Sequence, residues 1–409
     1  MKRLLLLLCF CSPLFAAQSP PSELRIYHDA DYSTLSASAH AMRMGFLTAL
    51  DEVNNQVNQV AIEFVIRDHR GNSNRSYLNL KQFLDDPTAL AVLGGVHSPP
   101  YIKYRDFING NNILLLVPWA AGGSITRYPS VDNWVFRLSL DDTQVGKVLI
   151  DYALNNNCQH PHLLLEQTAW GESNFKTLNH AYSEQMPNNI LPISWFNWSI
   201  KGSQAGQIVN SISNGPAQCV IFVGNAIEGA EIVKAMAALP EDKRLPIISH
   251  WGVTAGNLHQ QVGELLRNKV SLAVVQSCFS FQSAPLSEHA KAVFTRAKQL
   301  FPERFAINNF IVAEPGFVHG YDLGKLFINA LQQVDLQKAM KEIRQALKNK
   351  LEQLDTPIIG LIKTYQTPFT RWSPEQQSAH EALAASDLCM GRFRADGSMA
   401  LSPSFEGRP

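Results

Sequence analysis

The sequence predicts an α/β protein of two doubly wound lobes, each built on a parallel sheet. Short, almost wholly apolar runs alternate with amphipathic helical patterns, and the series ends at 134–140 and then starts again. Apolar runs of this kind are typical of strands buried on both faces, with helices as the crossovers. No Gly/Ser-rich linker separates the two halves, so several chain crossings are expected between the lobes.

The first half of the chain supplies the elements of one lobe. Its patterns predict strands at 24–27, 61–66, 90–94 and 113–117, and helices at 39–54, 75–84 and 101–108. The fourth apolar run stops at Pro118, which has no backbone N–H for a sheet.

The second half repeats the alternation and then becomes helical. Strands are expected at 162–166, 219–223 and 245–249, and helices at 173–185, 228–239, 258–268, 290–300, 316–333 and 335–354. Residues 357–386 are harder to place. Within them, 365–372 is expected as a lid or hinge element over a cleft, and 374–385 as a helix or as surface decoration.

Residues 1–17 have the three parts of a secretory signal: two basic residues, the apolar run 4–10 and the small-residue exit Ala16-Ala17. Cleavage is expected after Ala16, with Ala17 as the alternative, and the mature protein is expected in the periplasm. Outside the cytoplasm, without ATP or reducing cofactors, binding and hydrolysis become the leading function classes.

The cysteines fit that compartment. Cys9 and Cys11 suggest lipid attachment, but neither follows the small residue expected there. The mature chain keeps an even number that permits two disulfides, at positions 158, 219, 278 and 389. Neighbouring strands could pair Cys158 with Cys219, although buried free thiols are the alternative.

Charge and motifs exclude several function classes. The chain has 35 basic and 35 acidic side chains, so no positively charged surface for binding nucleic acid or an anionic membrane is expected. No later segment approaches the roughly 20 apolar residues of a membrane span. No metal or cofactor motif and no G-x-S-x-G elbow occurs, and His69, His250 and His319 lack a nucleophile turn beside them.

In open α/β sheets, ligands bind beyond the carboxyl ends of the strands. The loops expected there carry Trp119, Trp170 and Trp251, each at a strand end, and indoles at such positions favour the wall of a concave pocket over a surface plug. Asn225 beside Gly224 would reach a ligand or only shape its turn.

Several loop segments follow one another in a recognisable order: Leu93-Gly94-Gly95-Val96-His97-Ser98, 112–118, Trp119-Ala120-Ala121, Trp170-Gly171-Glu172, 222–225, 249–252, Tyr321 and 394–398. Together they resemble the type I periplasmic binding proteins of the branched-chain amino acid and amide importers. The resemblance covers nearly all of the mature chain.

This resemblance implies two lobes joined by a three-strand hinge, with a small molecule trapped between them. The implied division is lobe 1 at 22–140, lobe 2 at 141–276, a return to lobe 1 at 277–356, and a last crossover at 357–409, mostly with lobe 2. A ligand carboxylate would be held by Ser98 and by the backbone from Ala120 through Ala121 to Gly122.

Two departures from the family pattern argue against a plain aliphatic amino acid. Ala121 stands where the amino acid binders have threonine, and Trp251 stands where they place an acid for the ligand ammonium. An unpaired cation in a closed cleft is costly. An aromatic acid, an amide, a heterocycle or a quaternary ammonium is therefore favoured.

Further polar contacts are expected from the loops of lobe 1. His97 is a candidate ligand contact, and Asp31 and Tyr32 are further ones, although Asp31 equally suits a cap of the following helix.

The sequence thus predicts a monomeric, non-enzymatic solute-binding protein that delivers its ligand to an ABC permease. One alternative is a ligand sensor that docks on the periplasmic domain of a signalling protein. The second alternative is a secreted α/β hydrolase.

Overall fold

The computed structural model describes residues 22–402 apart from 128, 129, 131, 307 and 308. The signal sequence predicted at 1–17 lies outside the described residues. Within the described part, no helix has the length and apolar character that crossing a bilayer requires.

The first lobe is a six-stranded sheet with helices on both faces. Its elements are β1 (Glu23–Ala30), α1 (Ser36–Asp51), β2 (Gln56–Val57), β3 (Val60–Asp68), α2 (Ser73–Asp85), β4 (Ala89–Gly94), α3 (Ser98–Lys103), α4 (Arg105–Gly110), β5 (Leu115–Val117) and β6 (Val135–Arg137). The strand order is β2-β3-β1-β4-β5-β6, and every pair except β2-β3 is parallel. Strands β4 and β5 are buried along their whole length, as strands covered on both faces should be.

The second lobe repeats this architecture. It contains α5 (Asp142–Asn155), β7 (Pro161–Glu166), α6 (Ala169–Gln185), β8 (Ile193–Phe196), α7 (Gly202–Ser213), β9 (Cys219–Val223), α8 (Ala226–Ala238), β10 (Ile247–Ser249), α9 (Leu258–Asn268) and β11 (Leu272–Ser277). Cys158 and Cys219 form a disulfide here, so the pairing considered from the sequence is present in the structure.

The chain then returns to the first lobe. The returning elements are α10 (Glu288–Leu300), α11 (Glu314–Leu331), α12 (Met340–Leu351), β12 (Ile358–Ile359) and β13 (Thr364–Tyr365). Helix α11 packs on α1 so closely that a Cβ at Gly45 would lie 2.0 Å from the carbonyl oxygen of Phe317. Only glycine therefore fits at that crossing.

Two final strands, β14 (Leu388–Phe393) and β15 (Met399–Leu401), complete the second sheet. Its order is β15-β14-β11-β10-β9-β7-β8, and β14 and β15 are the antiparallel additions. The two parallel-sheet lobes predicted from the sequence are thus confirmed.

Three crossovers connect the two lobes, at 138–141, 278–287 and 366–387. The second crossover is tied to the end of the third by the Cys278 N–H, which donates to the Asp387 carbonyl oxygen (2.8 Å), and by the disulfide from Cys278 to Cys389, which lies in β14 directly after the third crossover. The first and third are tied at Arg137, whose N–H donates to the carbonyl oxygen of His380 (2.9 Å).

The segment 357–386 forms part of this hinge and does not fold as a helix. Residues 374–385, expected as a helix or as surface decoration, form turns, and the Ala382 N–H donates to the Arg137 carbonyl oxygen (3.0 Å). Within 365–372, Phe369 packs edge-on against Phe136 of β6 at 5.1 Å. Residues 358–382 thus contact lobe 1, whereas 388–401 join the sheet of lobe 2.

Candidate ligand-binding cleft

The carboxyl ends of the two sheets face each other, and two of the predicted tryptophans meet between them. Trp119 follows β5 of lobe 1, and Trp251 follows β10 of lobe 2. Their rings stack with centroids 5.1 Å apart and planes inclined by 29°. Both side chains are 1 % exposed, so the lobes are in contact across the cleft.

Trp119 fits this position because α11 leaves room for it. A Cβ at Gly316, in the first turn of α11, would lie 2.6 Å from Trp119 Cζ3. The Nε1–H of Trp119 is buried and has no hydrogen-bond partner among the described residues. A buried donor left unpaired costs about 1–3 kcal/mol, so the cleft offers one donor to an incoming acceptor.

Ser98 and Gly122, predicted to hold a ligand carboxylate together, contact each other. The Gly122 N–H donates to Ser98 Oγ at 3.0 Å, and Ser98 is 3 % exposed. Accepting this bond leaves the Ser98 O–H proton free to donate. A Cβ at Gly122 would lie 3.0 Å from Ser98 Cβ and 2.9 Å from Ile102 Cδ1, so glycine permits the approach.

Arg137, which was not predicted as a site residue, fixes this loop by hydrogen bonds to its backbone. Its Nη1 donates to the carbonyl oxygens of Gly122 (2.8 Å) and Ala120 (3.3 Å). The Asp142 N–H donates to the carbonyl oxygen of Ala121 (3.0 Å). All three carbonyl groups of the predicted binding loop are therefore fixed by residues at the first crossover.

Arg137 is also the centre of a buried ionic cluster at the hinge. Its Nη2 lies 2.6 Å from Glu381 Oε1 and 3.0 Å from Asp141 Oδ1, and Arg127 contacts both carboxylates. Burial alone would raise the pKa of Asp141, but Arg137 and Arg127 outweigh it and lower that pKa. Glu381 arrives from the third crossover, so the cluster connects the binding loop to the hinge.

In lobe 2, Trp170 is held by a residue that also holds His250. Trp170 Nε1 donates to Asp142 Oδ1 at 3.3 Å, and His250 Nε2 lies 3.1 Å from the same oxygen. The rings of Trp170 and His250 pack edge-on at 5.0 Å. A Cβ at Gly252 would lie 2.7 Å from Trp170 Cη2, so Trp170 supports the loop that carries Trp251.

Asn225 is anchored within lobe 2 by a carboxyl. Its Nδ2 donates to Glu166 Oε2 at 3.3 Å. Glu228 lies near this pair and accepts from the Ser199 N–H (2.9 Å). Burial and the negative charge of Glu228 raise the pKa of Glu166 to about 7. Asn225 therefore shapes this wall of the cleft through Glu166.

We expect Glu166→Gln to become more stabilising, relative to wild type, as the pH rises from 5 to 8. The folded state prefers protonated Glu166, so folding loses free energy as the pH rises from the unfolded pKa toward 7. The shift corresponds to about 3 kcal/mol at most. Urea unfolding at several pH values measures the difference, and exposed Glu241→Gln is the control. A difference that does not change with pH would contradict the shift.

The remaining candidates, Asp31, Tyr32 and His97, lie in lobe 1, and their polar atoms contact residues of that lobe. Asp31 Oδ1 accepts from the N–H of Thr34 (2.8 Å), so Asp31 holds the turn before α1. Asp31 Oδ2 lies 3.1 Å from His97 Nε2, and Tyr32 Oη lies 2.6 Å from His28 Nδ1. Burial would raise the pKa of Asp31, but hydrogen bonds from His97 and Thr34 hold it well below its usual range.

The two lobes touch at further points around the stack. The ring of Trp198, which follows β8, packs on His97 at 4.9 Å. The Gly123 N–H donates to Ser173 Oγ of α6 at 3.2 Å. The Ser38 N–H of α1 donates to the Ala255 carbonyl oxygen at 3.2 Å. The structure therefore represents a closed arrangement of the lobes.

A serine and a histidine do meet at the hinge. Ser277 Oγ lies 3.0 Å from His319 Nε2, and His319 Nδ1 lies 3.0 Å from the Pro118 carbonyl oxygen. The third partner is thus a carbonyl group, where a catalytic triad has a carboxylate. Ser277 and His319 are 1 % and 0 % exposed, and burial lowers the pKa of His319 to about 3. The pair fastens β11, α11 and the end of β5.

Among the residues that the structure describes, no three histidine, cysteine or acidic side chains cluster in a way that could hold a metal ion. Arg137, Asp142 and Trp198 were not predicted as site residues. An acidic pair directly after the apolar run 134–140 was the available signal for Asp142. No local signal marked Arg137, because its partner Glu381 is distant in the sequence.

A family model described as "Periplasmic binding protein" matches residues 30–381. The chain belongs to the periplasmic binding protein family. This family consists of solute-binding proteins of ABC transporters, which capture small ligands in the periplasm and are not enzymes. A comparison with curated protein sequences finds no match.

Solved structures share the periplasmic binding protein fold at low sequence identity. A type 1 periplasmic binding protein from Bordetella pertussis Tohama I has a TM-score of 0.75 and 15 % identity, covering 93 % of this chain and 100 % of its own. A possible leucine/isoleucine/valine-binding protein from Rhodopirellula baltica has a TM-score of 0.75 and 18 % identity, covering 94 % of this chain and 97 % of its own. A solute-binding protein from R. palustris in complex with benzoate has a TM-score of 0.73 and 14 % identity, covering 93 % of this chain and 95 % of its own.

Proposed function

We propose that this chain is a periplasmic, monomeric solute-binding protein of an ABC importer. It captures a small organic solute in the cleft between its lobes and presents the closed form to a permease. The observation that carries this proposal is the contact of Trp119 with Trp251 across the cleft, beside the Ser98–Gly122 pair. Closure brings these groups from separate lobes to one place, as hinge-bending capture requires.

The donors in the cleft favour a ligand with a carboxylate or another strong acceptor. The Trp119 Nε1–H lacks a partner among the described residues, and the Ser98 O–H proton is free to donate. The residues at the stack are indoles, so the rest of the ligand is apolar or aromatic. The solute-binding protein from R. palustris, which shares this fold, is in complex with benzoate, and that supports a ligand of this class.

The stack also limits how the ligand enters. Carbon atoms in contact lie about 3.5–4.0 Å apart, so a ring inserted between two indoles needs a centroid separation of about 7 Å. The observed 5.1 Å leaves no such space between Trp119 and Trp251. An aromatic solute therefore parts the two rings, or lies beside them against Ser98.

Aromatic acids should raise the melting temperature of the mature protein, and Ser98→Ala or Trp251→Ala should reduce that increase strongly. Losing one hydroxyl contact to a charged acceptor weakens binding by about 1.5–3 kcal/mol, or roughly 10- to 150-fold. Mass spectrometry of any solute released on denaturation, followed by a thermal-shift screen of aromatic acids, amides and heterocycles, identifies the ligand.

Ser194→Ala is the matched control, because Ser194 lies on β8 and its hydroxyl contacts His162, outside the cleft. It should retain the full ligand response. A solute that stabilises Ser98→Ala, Trp251→Ala and Ser194→Ala equally would place its site elsewhere and contradict the proposed cleft.

A further inference from the structure

A separate cavity of about 80 Å³ lies between the lobes on the side of the cleft nearest the hinge. Lobe 2 contributes the loop after β10, the start of α9 and the β14–β15 hairpin, and lobe 1 contributes 310–315 at the start of α11. A cavity needs about 10–15 Å³ to hold one water molecule, so this cavity has room for about five to eight water-sized groups.

The inner end of this cavity carries two buried polar side chains. Gln276 of β11 is 2 % exposed, and its Nε2 has no hydrogen-bond partner among the described residues. Glu314 of α11 is 9 % exposed, and its carboxylate accepts from the Phe281 N–H (2.6 Å) and the Ser280 O–H (2.8 Å). Each carboxylate oxygen retains a lone pair for another donor.

The electrostatic character of the cavity is acidic. Glu314 lies at the inner end, Asp396 lies at the exposed mouth, and the lining contains His259 but neither lysine nor arginine. The positive charge of Arg394 acts to lower the pKa of Glu314, but the Arg394 guanidinium donates its hydrogen bond to the Gln282 carbonyl oxygen (3.0 Å). Burial raises the pKa of Glu314 to about 7, which is the response of a carboxyl that lacks a close counter-charge.

The walls are suited to an alkylated cation. Phe310 and Phe393 lie on opposite lobes, and Ile311 and Met399 are buried beside them. Aromatic faces attract ammonium groups, and the attraction grows when the site is desolvated. Ala313, directly before Glu314, has a φ of 56°, a left-handed conformation that is unfavourable for a residue with a Cβ.

We propose that this cavity is a binding site for a small ammonium compound that also carries a hydroxyl or carbonyl oxygen. The ammonium group lies against Glu314 and the phenylalanine rings, and the ligand oxygen accepts from Gln276 Nε2. The site is distinct from the Trp119–Trp251 stack, and it does not depend on which solute binds there. Because both lobes line it, its ligand stabilises the closed arrangement.

Calorimetric titration of the mature protein with choline and with ethanolamine tests the proposal. At least one of the two should bind, and 3,3-dimethylbutan-1-ol, the uncharged isostere of choline, should bind at least tenfold more weakly or not at all. Glu314→Gln should weaken cation binding at least tenfold, and Gln276→Met should weaken it severalfold. Circular dichroism establishes that each variant is folded, and the isostere comparison in wild type needs no variant.

Ser98→Ala and Trp119→Ala separate this site from the proposed solute cleft, and both should keep cation binding. Failure of both cations to bind, or equal binding of the uncharged isostere, would overturn the proposal. Cation binding that persists in Glu314→Gln but disappears in Trp119→Ala would also overturn it, and would assign the cation to the tryptophan stack. Loss of aromatic-acid binding in Ser98→Ala leaves the cation result unaffected.

Discussion

Arg137→Met is expected to lower the free energy of unfolding by about 3–5 kcal/mol and to abolish solute binding. The guanidinium is fully buried and contacts Glu381 and Asp141, so its removal leaves two buried carboxylates with Arg127 alone. A buried charge that loses its partner accounts for most of the loss. Urea unfolding measures the stability change, and ligand titration measures the binding change.

Solute binding is expected to be lost because Arg137 also fixes the backbone of the binding loop. Arg137 also holds the carbonyl oxygens of Ala120 and Gly122, and the Gly122 N–H in turn orients Ser98 Oγ. Without those bonds the binding loop has no fixed position at the cleft. A hydrogen-bonded loop positioned by a rigid group loses less entropy when a ligand binds, so freeing the loop weakens affinity.

Two companion variants test this explanation. Arg137→Met combined with Glu381→Met should recover part of the lost stability, because one unpaired carboxylate is removed with its partner. It should not recover binding, since the carbonyl groups stay unheld. Arg392→Met is the matched control, because that side chain is exposed, and it should change stability by less than about 0.5 kcal/mol. Equal losses in Arg392→Met and Arg137→Met would refute the role of the cluster.

Replacing Cys278 and Cys389 together with serine is expected to lower the free energy of unfolding by about 4–5 kcal/mol. The bond joins positions 111 residues apart, so it removes much conformational freedom from the unfolded chain. It also clamps the second and third crossovers, so the double variant should weaken solute binding as well. Urea unfolding under non-reducing conditions and ligand titration measure the two effects.

The Cys158→Ser/Cys219→Ser variant is the internal control. Its bond spans 61 residues and lies wholly within lobe 2, joining the loop before β7 to β9. By the same entropy argument, the cost in stability is only slightly smaller, about 4 kcal/mol. Solute affinity of the folded protein should stay close to wild type. Equal weakening of binding in both double variants would argue against a special role of the hinge bond.

The strands at 90–94 and 219–223 were predictable because each is a short apolar run that tertiary packing buries whole. Strands β8, β11 and β14 were not predicted, and β3 was predicted although its residues alternate between buried and exposed. The predicted strand 219–223 has the bounds of β9, Cys219–Val223. Helix α7 was missed because Gly202, Gly206 and three serines give it low helix propensity, and packing of its apolar face stabilises it. The segment 374–385, expected as a helix or as surface decoration, forms separate turns, as in the bond from the Ala379 N–H to the Gln376 carbonyl oxygen. Residues 380–382 then pair with Arg137 of β6 instead of continuing as a helix.

The candidate site was predictable only where strand order determines it. Trp119 and Trp251 both follow strands whose carboxyl ends face the cleft, so their meeting follows from the fold. The position of Glu381 beside Arg137 depends on a crossover that returns from 244 residues away, and no local pattern encodes that distance. The cavity at Gln276 and Glu314 likewise needs four separate chain segments to assemble.

The tryptophan stack has a further consequence for measurement. Two indoles with centroids 5.1 Å apart are close enough for their electronic transitions to couple, and each ring belongs to a different lobe. Opening of the hinge separates the rings and removes the coupling. The near-ultraviolet circular dichroism of the unlabelled protein should therefore change when the lobes separate. Closure of the hinge can thus be followed without an added label.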